Sequence, residues 1–351
     1  MKKKVFKIVL LALCVAVTLG LLQALLVPKY IEENEEGVLA GEYYANAGSN
    51  DVLFVGDCEV YSNFSPITLW QEYGITSIIR GTPSQTIWQS YYMIEDTLRY
   101  ETPKVVVYNV FSMQYDKPQS EAYNRLALDG MKWSKVKYNA IKASMTDEET
   151  VTSYVFPLLR FHSRWSELRG EDFKYMFRSL QLSHNGYVMR VDTKPVTELP
   201  QPVPRADYSF SETDWYWLNK MKDLCTARGI KLVLIKSGSC YPHWFDEWDK
   251  QIVDYAEKNN LTYINFLQHQ SETGIDYTKD TFDAGLHLNL SGAEKSSRWF
   301  GTFLKDMPGV TDRRDDKGLT NLWNAKIDFY EAMKASQYKQ LEETGKVTSY
   351  R

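Results

Sequence analysis

Five short apolar runs, separated by stretches of helical character, restrict this chain to a small set of folds. They cover residues 52–55, 76–80, 104–110, 230–235 and 261–267, and most are dominated by valine, isoleucine and leucine. Runs of this length, bounded by turn formers, read as strands buried on both faces, as parallel sheets require. Between them lie helical stretches with their own punctuation. Residues 65–74 carry Pro66 just inside the start and Gly74 just past the end, Ser84 opens a helix to about Tyr100, and a helix from Ser211 ends at Gly229. A further helix spans 244–260, and another starts near Ser291. Strand–helix alternation of this kind predicts an α/β fold, a three-layer αβα sandwich around a doubly wound parallel sheet over residues 51–305.

The amino terminus carries a different signal. Lys2, Lys3, Lys4 and Lys7 precede an uncharged run from Ile8 to Val27 that stops at Pro28. Twenty residues at 1.5 Å each cover the ~30 Å hydrocarbon core of a bilayer, and basic residues stay on the cytoplasmic side. No small-x-small site precedes Pro28, which favours a retained anchor over residues 1–30 above a cleaved signal peptide. The expectation is a single-pass protein of the cell membrane with its folded part outside. Residues 31–50, rich in glutamate, glycine and asparagine, read as a polar stalk.

The formal charge is −4; lysines 2, 3, 4, 7 and 29 place +5 in the first thirty residues, leaving −9 on the remainder. An acidic outer part argues against nucleic acid as a partner. Four cysteines, one of them within the apolar run, do not form a disulfide framework, so Cys225 and Cys240 are taken as free.

The first strand ends in a stretch with chemical content, Val52-Leu53-Phe54-Val55-Gly56-Asp57-Cys58. Gly56 permits a sharp turn that sets Cys58 at the carboxyl end of the strand, where open α/β sheets bind ligands. Far downstream lies Asp280-Thr281-Phe282-Asp283-Ala284-Gly285-Leu286-His287, directly before the last helix of the alternating region. A nucleophile after the first strand and a base after the fifth suit a flavodoxin-like sheet. His287 can take the Cys58 proton and return it to a leaving group, while Asp283, or Asp280 in second place, orients the imidazole. A thiol near its ordinary pKa of ~8.5 needs less activation than a hydroxyl.

Together the two blocks resemble those of the SGNH (GDSL-type) hydrolases and acyltransferases, whose first block is Gly-Asp-Ser and whose last is an Asp closely followed by His. Cys58 stands in the place of the family's serine, and Asp283 lies four residues before His287 where three is usual. The resemblance implies an oxyanion hole built from the Cys58 amide, Gly81 at the end of the second strand and Asn109 at the end of the third. Asp57, Arg80, Gln85 and Lys236, at or beside strand ends, are candidate substrate-binding residues, and neither a metal nor another cofactor is called for. The amino-terminal anchor makes the chain similar to alginate O-acetyltransferase-like and D-alanyl-lipoteichoic acid transfer proteins. That branch implies acyl transfer through a Cys58 thioester onto a cell-surface polysaccharide or envelope polymer, beside a membrane-bound O-acyltransferase partner. Two other readings stand beside it: a carbohydrate esterase or deacylase with the same residues, and a non-catalytic envelope or glycan-binding protein on a degenerate fold of this type.

From residue 112 to 204 the strand–helix rhythm lapses. Helical segments expected over 121–145 and 149–167 read as a lid or substrate platform, with Trp133, Arg160, His162, Arg164, Trp165, His184 and Asn185 suited to sugar rings and anionic groups. Residues 195–204, with four prolines, form the return linker, and 306–351 read as a polar tail with one helix over 319–341.

Overall fold

All five apolar runs fold as strands: β1 Val52–Gly56, β2 Ser77–Gly81, β3 Val105–Asn109, β4 Lys231–Lys236 and β5 Thr262–Asn265. They belong to a computed structural model that describes residues 2–27, 42–174, 176 and 183–348. All pairings are parallel and the order is β2-β1-β3-β4-β5, that of a flavodoxin-like sheet. Continuous apolar runs are needed because successive side chains enter opposite layers. Leu53, Val55, Val106, Tyr108 and Leu234 face one core, whereas Val52, Phe54, Val105, Val107 and Val233 face the other.

The helices between strands close both layers. In chain order they include α1 Lys2–Leu26, α2 Cys58–Asn63, α3 Pro66–Tyr73, α4 Ile87–Thr97, α5 Glu121–Leu128, α6 Lys135–Ser144, α7 Val151–Val155, α8 Leu158–Phe161, α9 Gly170–Lys174, α10 Glu212–Ala227, α11 Asp246–Asn259, α12 Leu290–Leu304 and α13 Lys317–Thr344. Helices α4, α6, α10 and α11 cover the first core, and α2, α3, α12 and α13 the second. Punctuation seen in the sequence sets several ends: the Ser65 side chain accepts from Thr68 N–H, Pro66 starts α3, and Gly74 ends it at φ +65°. Helix α4 starts later than Ser84 suggests. Ser84 sits at φ +50° in the preceding turn, and Thr86 is the cap, its N–H donating to the Gln89 side chain at 3.0 Å.

The insertion is more broken than its helical periodicity implies. Asp129 to Ser134 interrupts the first expected helix, and Pro157 divides the second into α7 and α8, followed by a 3₁₀ stretch His162–Glu167. Helix α6 nevertheless packs on α4 as part of a layer. Residues 195–204 lack regular structure and are largely exposed.

Two polar stretches are built into the body. The described part of the expected stalk, residues 42–50, packs against the sheet, with the Tyr43 ring 4.1 Å beneath the Arg80 guanidinium; residues 31–41 lie outside the described residues. The expected tail contains α13, whose Trp323 stacks on Trp70 at 5.0 Å and whose Tyr330 and Met333 join the second core. Lys326 donates to Asn46 and Asn185, while Gln337 exchanges hydrogen bonds with the backbone of Met189 and Val191. These polar contacts explain why the stripe is hard to see in composition.

Candidate functional site

The site begins where β1 turns into α2. Gly56 has φ +154°, and a Cβ there would lie 2.9 Å from that of Asn109. Asp57 then caps α2, its Oδ1 accepting from Glu59 N–H at 3.2 Å, which leaves Cys58 as the first helical residue, partly exposed. Gly81 allows this turn to approach β2: any Cβ on it would overlap a Val60 methyl and come within 3.0 Å of the Asp57 carbonyl.

His287 arrives on a tightly pinned loop. An isolated antiparallel bridge joins Thr281 to Leu288, Thr281 Oγ1 accepts from Gly285 N–H at 2.8 Å, and Ala284 is held at φ +63°. Asp283 brackets His287 twice, accepting its backbone N–H at 2.8 Å through Oδ1 and pairing with Nδ1 at 2.6 Å through Oδ2. The ring also stacks on Phe282, 5.6 Å away and 11° from parallel, with the Arg190 guanidinium 4.4 Å from the Phe282 ring. Asp280 is engaged elsewhere, its carboxylate accepting from Lys295 Nζ at 2.6 Å and from Asp276 N–H at 2.7 Å. The four-residue spacing therefore suits Asp283, because the carboxylate holds backbone and ring of the same residue.

With Nδ1 engaged, Nε2 remains for the thiol. It has no aligned hydrogen bond, yet ring and sulfur lie close enough to shift each other. Burial pushes the Cys58 thiol up and the neighbouring imidazole pulls against it; Asp57 and Glu59 add to the rise. His287 is raised well above its ordinary range: burial opposes this, but the Cys58 charge and the Asp283 carboxylate outweigh it. The two rises belong to the interacting pair, in which one proton can move between sulfur and Nε2.

Beneath Cys58 lies a buried polar network. Lys236 Nζ pairs with Glu59 Oε1 at 2.8 Å and also donates to the carbonyls of Ser237 and Ser239. Asn109 Nδ2 donates to Asp57 Oδ1 at 3.1 Å and Glu59 Oε2 at 2.8 Å, and its Oδ1 accepts from Ser237 N–H at 3.1 Å. Both amide hydrogens of Asn109 are thus engaged by carboxylates, so it offers no free oxyanion donor, contrary to expectation. Glu59 is the physical reason. Lys236 likewise lies under the site rather than facing a substrate. Asp57 Oδ2 is buried without a partner, and burial together with Glu59 raises this carboxyl to about 7.

Two other candidates point elsewhere. Arg80 is fully buried on the α4 side, bonded to Asp96 Oδ2, Thr97 Oγ1 and the Met93 carbonyl, each at 3.0 Å. Gln85 braces the loop after β2, donating to the Arg80 carbonyl and Ser90 Oγ. Neither is brought to Cys58. The insertion residues do not converge either. His184 and Asn185 are buried beside β2, where the Asn185 carbonyl accepts from Ile79 N–H and its side chain donates to the Ser77 carbonyl, covering a sheet edge. Arg160 pairs with Glu121, the His162 ring nitrogen Nδ1 lies 3.2 Å from the Leu159 carbonyl, and Trp133 is exposed beside Lys137.

Three contributors are not evident from the sequence. Asn63 donates to Ser237 Oγ at 2.6 Å and Ser239 Oγ at 2.9 Å and accepts from Leu288 N–H at 2.9 Å, joining α2, the loop after β4 and the histidine loop. Glu59 anchors the buried network, and Tyr115, bonded to Ser84, lies near enough to Cys58 for their charges to interact. The available signal is Glu59 and Asn63, one helical turn apart, interrupting the apolar residues that follow Cys58. The chain matches no model of a known protein family, and none of the curated proteins is detectably similar to it in sequence.

Proposed function

We propose that this protein transfers an acyl group through a thioester on Cys58, at the outer face of a membrane, to a hydroxyl of a cell-surface polysaccharide or envelope polymer. One observation carries the reading: Asp283 holds His287 by backbone and ring, leaving Nε2 for the Cys58 sulfur. In the first half-reaction sulfur bonds to the acyl carbon while its proton passes to Nε2. The carbon–oxygen bond of the donor then breaks, and that proton leaves with the alkoxide. In the second, the acceptor hydroxyl gives its proton to Nε2, its oxygen bonds to the acyl carbon, and the released sulfur recovers the proton. The amide of Cys58, at the first helical position and so without an intrahelical acceptor, suits the developing oxyanion, and the resemblance adds Gly81, which packs against the same turn. Hydrolysis would use the same residues, with water in place of the acceptor.

The resemblance to SGNH acyltransferases supports this reading and suggests a membrane-bound O-acyltransferase as the donor-side partner. Helix α1 is long and apolar enough to cross a membrane, and its leading lysines favour a cytoplasmic amino terminus. The test is intact-mass measurement on the full chain after exposure to a short-chain acyl ester. One acyl adduct is expected, absent in Cys58→Ala, with turnover reduced on the order of 10³-fold or more in that variant. An adduct or turnover that persists in Cys58→Ala, or no adduct in the native chain, overturns the proposal.

A further inference from the structure

Helix α1 is exposed over residues 5–22, about 27 Å at 1.5 Å per residue and close to the ~30 Å of a hydrocarbon core. Its last turn is different. From Gln23 onward it is at least partly covered, and what covers it is the insertion: α1 packs against α8, α9 and the 3₁₀ stretch His162–Glu167. Arg164 locks the junction, donating from Nη1 to the Leu26 carbonyl at 3.1 Å while Asp172 holds Nη2 at 2.7 Å. Lining residues of a cleft of about 380 Å³ at the same junction include Gln23, a polar residue within the apolar run, together with Lys132, Trp133 and Tyr154. Gln23 thus lies where the insertion begins to cover α1.

The same insertion segment displays large apolar side chains that the protein does not cover: Phe156 is 56 %, Leu159 59 %, Trp165 71 % and Phe173 59 % exposed. Scattered apolar residues are ordinary on a surface. Four of them within residues 156–173, just before α8, on α8, on the 3₁₀ stretch and on α9, in the segment that clasps the end of a membrane-length helix, are not scattered. Tryptophan and phenylalanine at that depth match the bilayer interface, where an apolar ring can enter lipid while polar backbone stays wet.

We infer that residues 155–174 form a membrane-interface contact, with Phe156, Leu159, Trp165 and Phe173 inserted into the outer leaflet around α1. The inference rests on the reading of α1 as a membrane anchor. Its occupant is the lipid itself, and the contact would fix the orientation of the folded body on the bilayer, which one helix connected by a single chain does not.

The test uses the full chain reconstituted in phosphatidylcholine vesicles, with or without phosphatidylcholine brominated near the glycerol end of its acyl chains. Tryptophan fluorescence of the native chain is compared with that of Trp165→Phe. The difference signal should be quenched by the brominated lipid and protected from aqueous iodide, and Phe156→Ser with Phe173→Ser should reverse that preference. A difference signal quenched by iodide and indifferent to brominated lipid overturns the inference, as would a protein partner's site left facing water. Alkaline carbonate washing separates the two readings. Release of the chain defeats the anchor and this contact together, whereas retention with iodide-accessible Trp165 defeats the contact alone.

Discussion

Asp57 illustrates how one side chain next to Cys58 can govern stability. Its carboxyl caps α2 and accepts from Asn109 through one oxygen, while the other oxygen is buried without a partner. Burial, then the Glu59 charge, raise it from an ordinary 3.8 to about 7. Between those values the folded state holds a proton that the unfolded chain has released, so stability falls as pH rises through that window and the full penalty stands above it. Asp57→Asn retains an acceptor for both bonds and abolishes the titration. Relative to the native chain, the variant should gain about 2 kcal/mol of stability between pH 5 and pH 8, measured by urea unfolding at the two values. Parallel pH dependence in the two proteins would mean that Asp57 does not titrate in this range.

At the scale of elements, the site is a meeting of three loops whose spacing is set by close approach. The β1–α2 turn can reach β2 because Gly81 has no side chain, and Asn63 at the end of α2 ties the loop after β4 to the histidine loop. Gly81→Ala would push α2 away from β2, a cost of about 1–3 kcal/mol. The nearest obstacle is the Val60 methyl, so Val60→Ala in the same chain should recover part of that loss, giving a non-additive double-mutant cycle. Strictly additive costs in thermal unfolding would show that the two positions do not collide.

Across the whole molecule, the chain's end completes its middle. Helix α13 covers α3 with Trp323 on Trp70, and its Lys326 and Gln337 hold residues 46, 185, 189 and 191, so it also secures the segment along the β2 edge. Burial lowers Lys326 to about 8, the mark of a lysine placed for its hydrogen bonds within the fold. Trp323→Ala should cost about 3–5 kcal/mol in denaturant unfolding of the full chain. A loss below about 1 kcal/mol would make α13 an appendage, because a tryptophan at the surface of a folded body contributes little when truncated.

Strand positions, the parallel sheet and the turn at Gly56 were legible in the sequence because each depends on local rules: apolar runs of strand length, residues that tolerate unusual φ, and helix caps. So was the nearness of His287 to Asp283 and to Cys58 in space, since strand ends on one edge of a parallel sheet bring distant residues together. What the sequence left open depended on partners remote along the chain. Asn109 reads as a strand-end donor until Glu59 and Asp57, about fifty residues earlier, engage both its amide hydrogens. Arg80 ends on the far face because strand residues alternate and Asp96 waits there. The polar character of α13 hid a buried face, because Lys326 and Gln337 are satisfied by backbone and amide groups that only the tertiary fold places within reach.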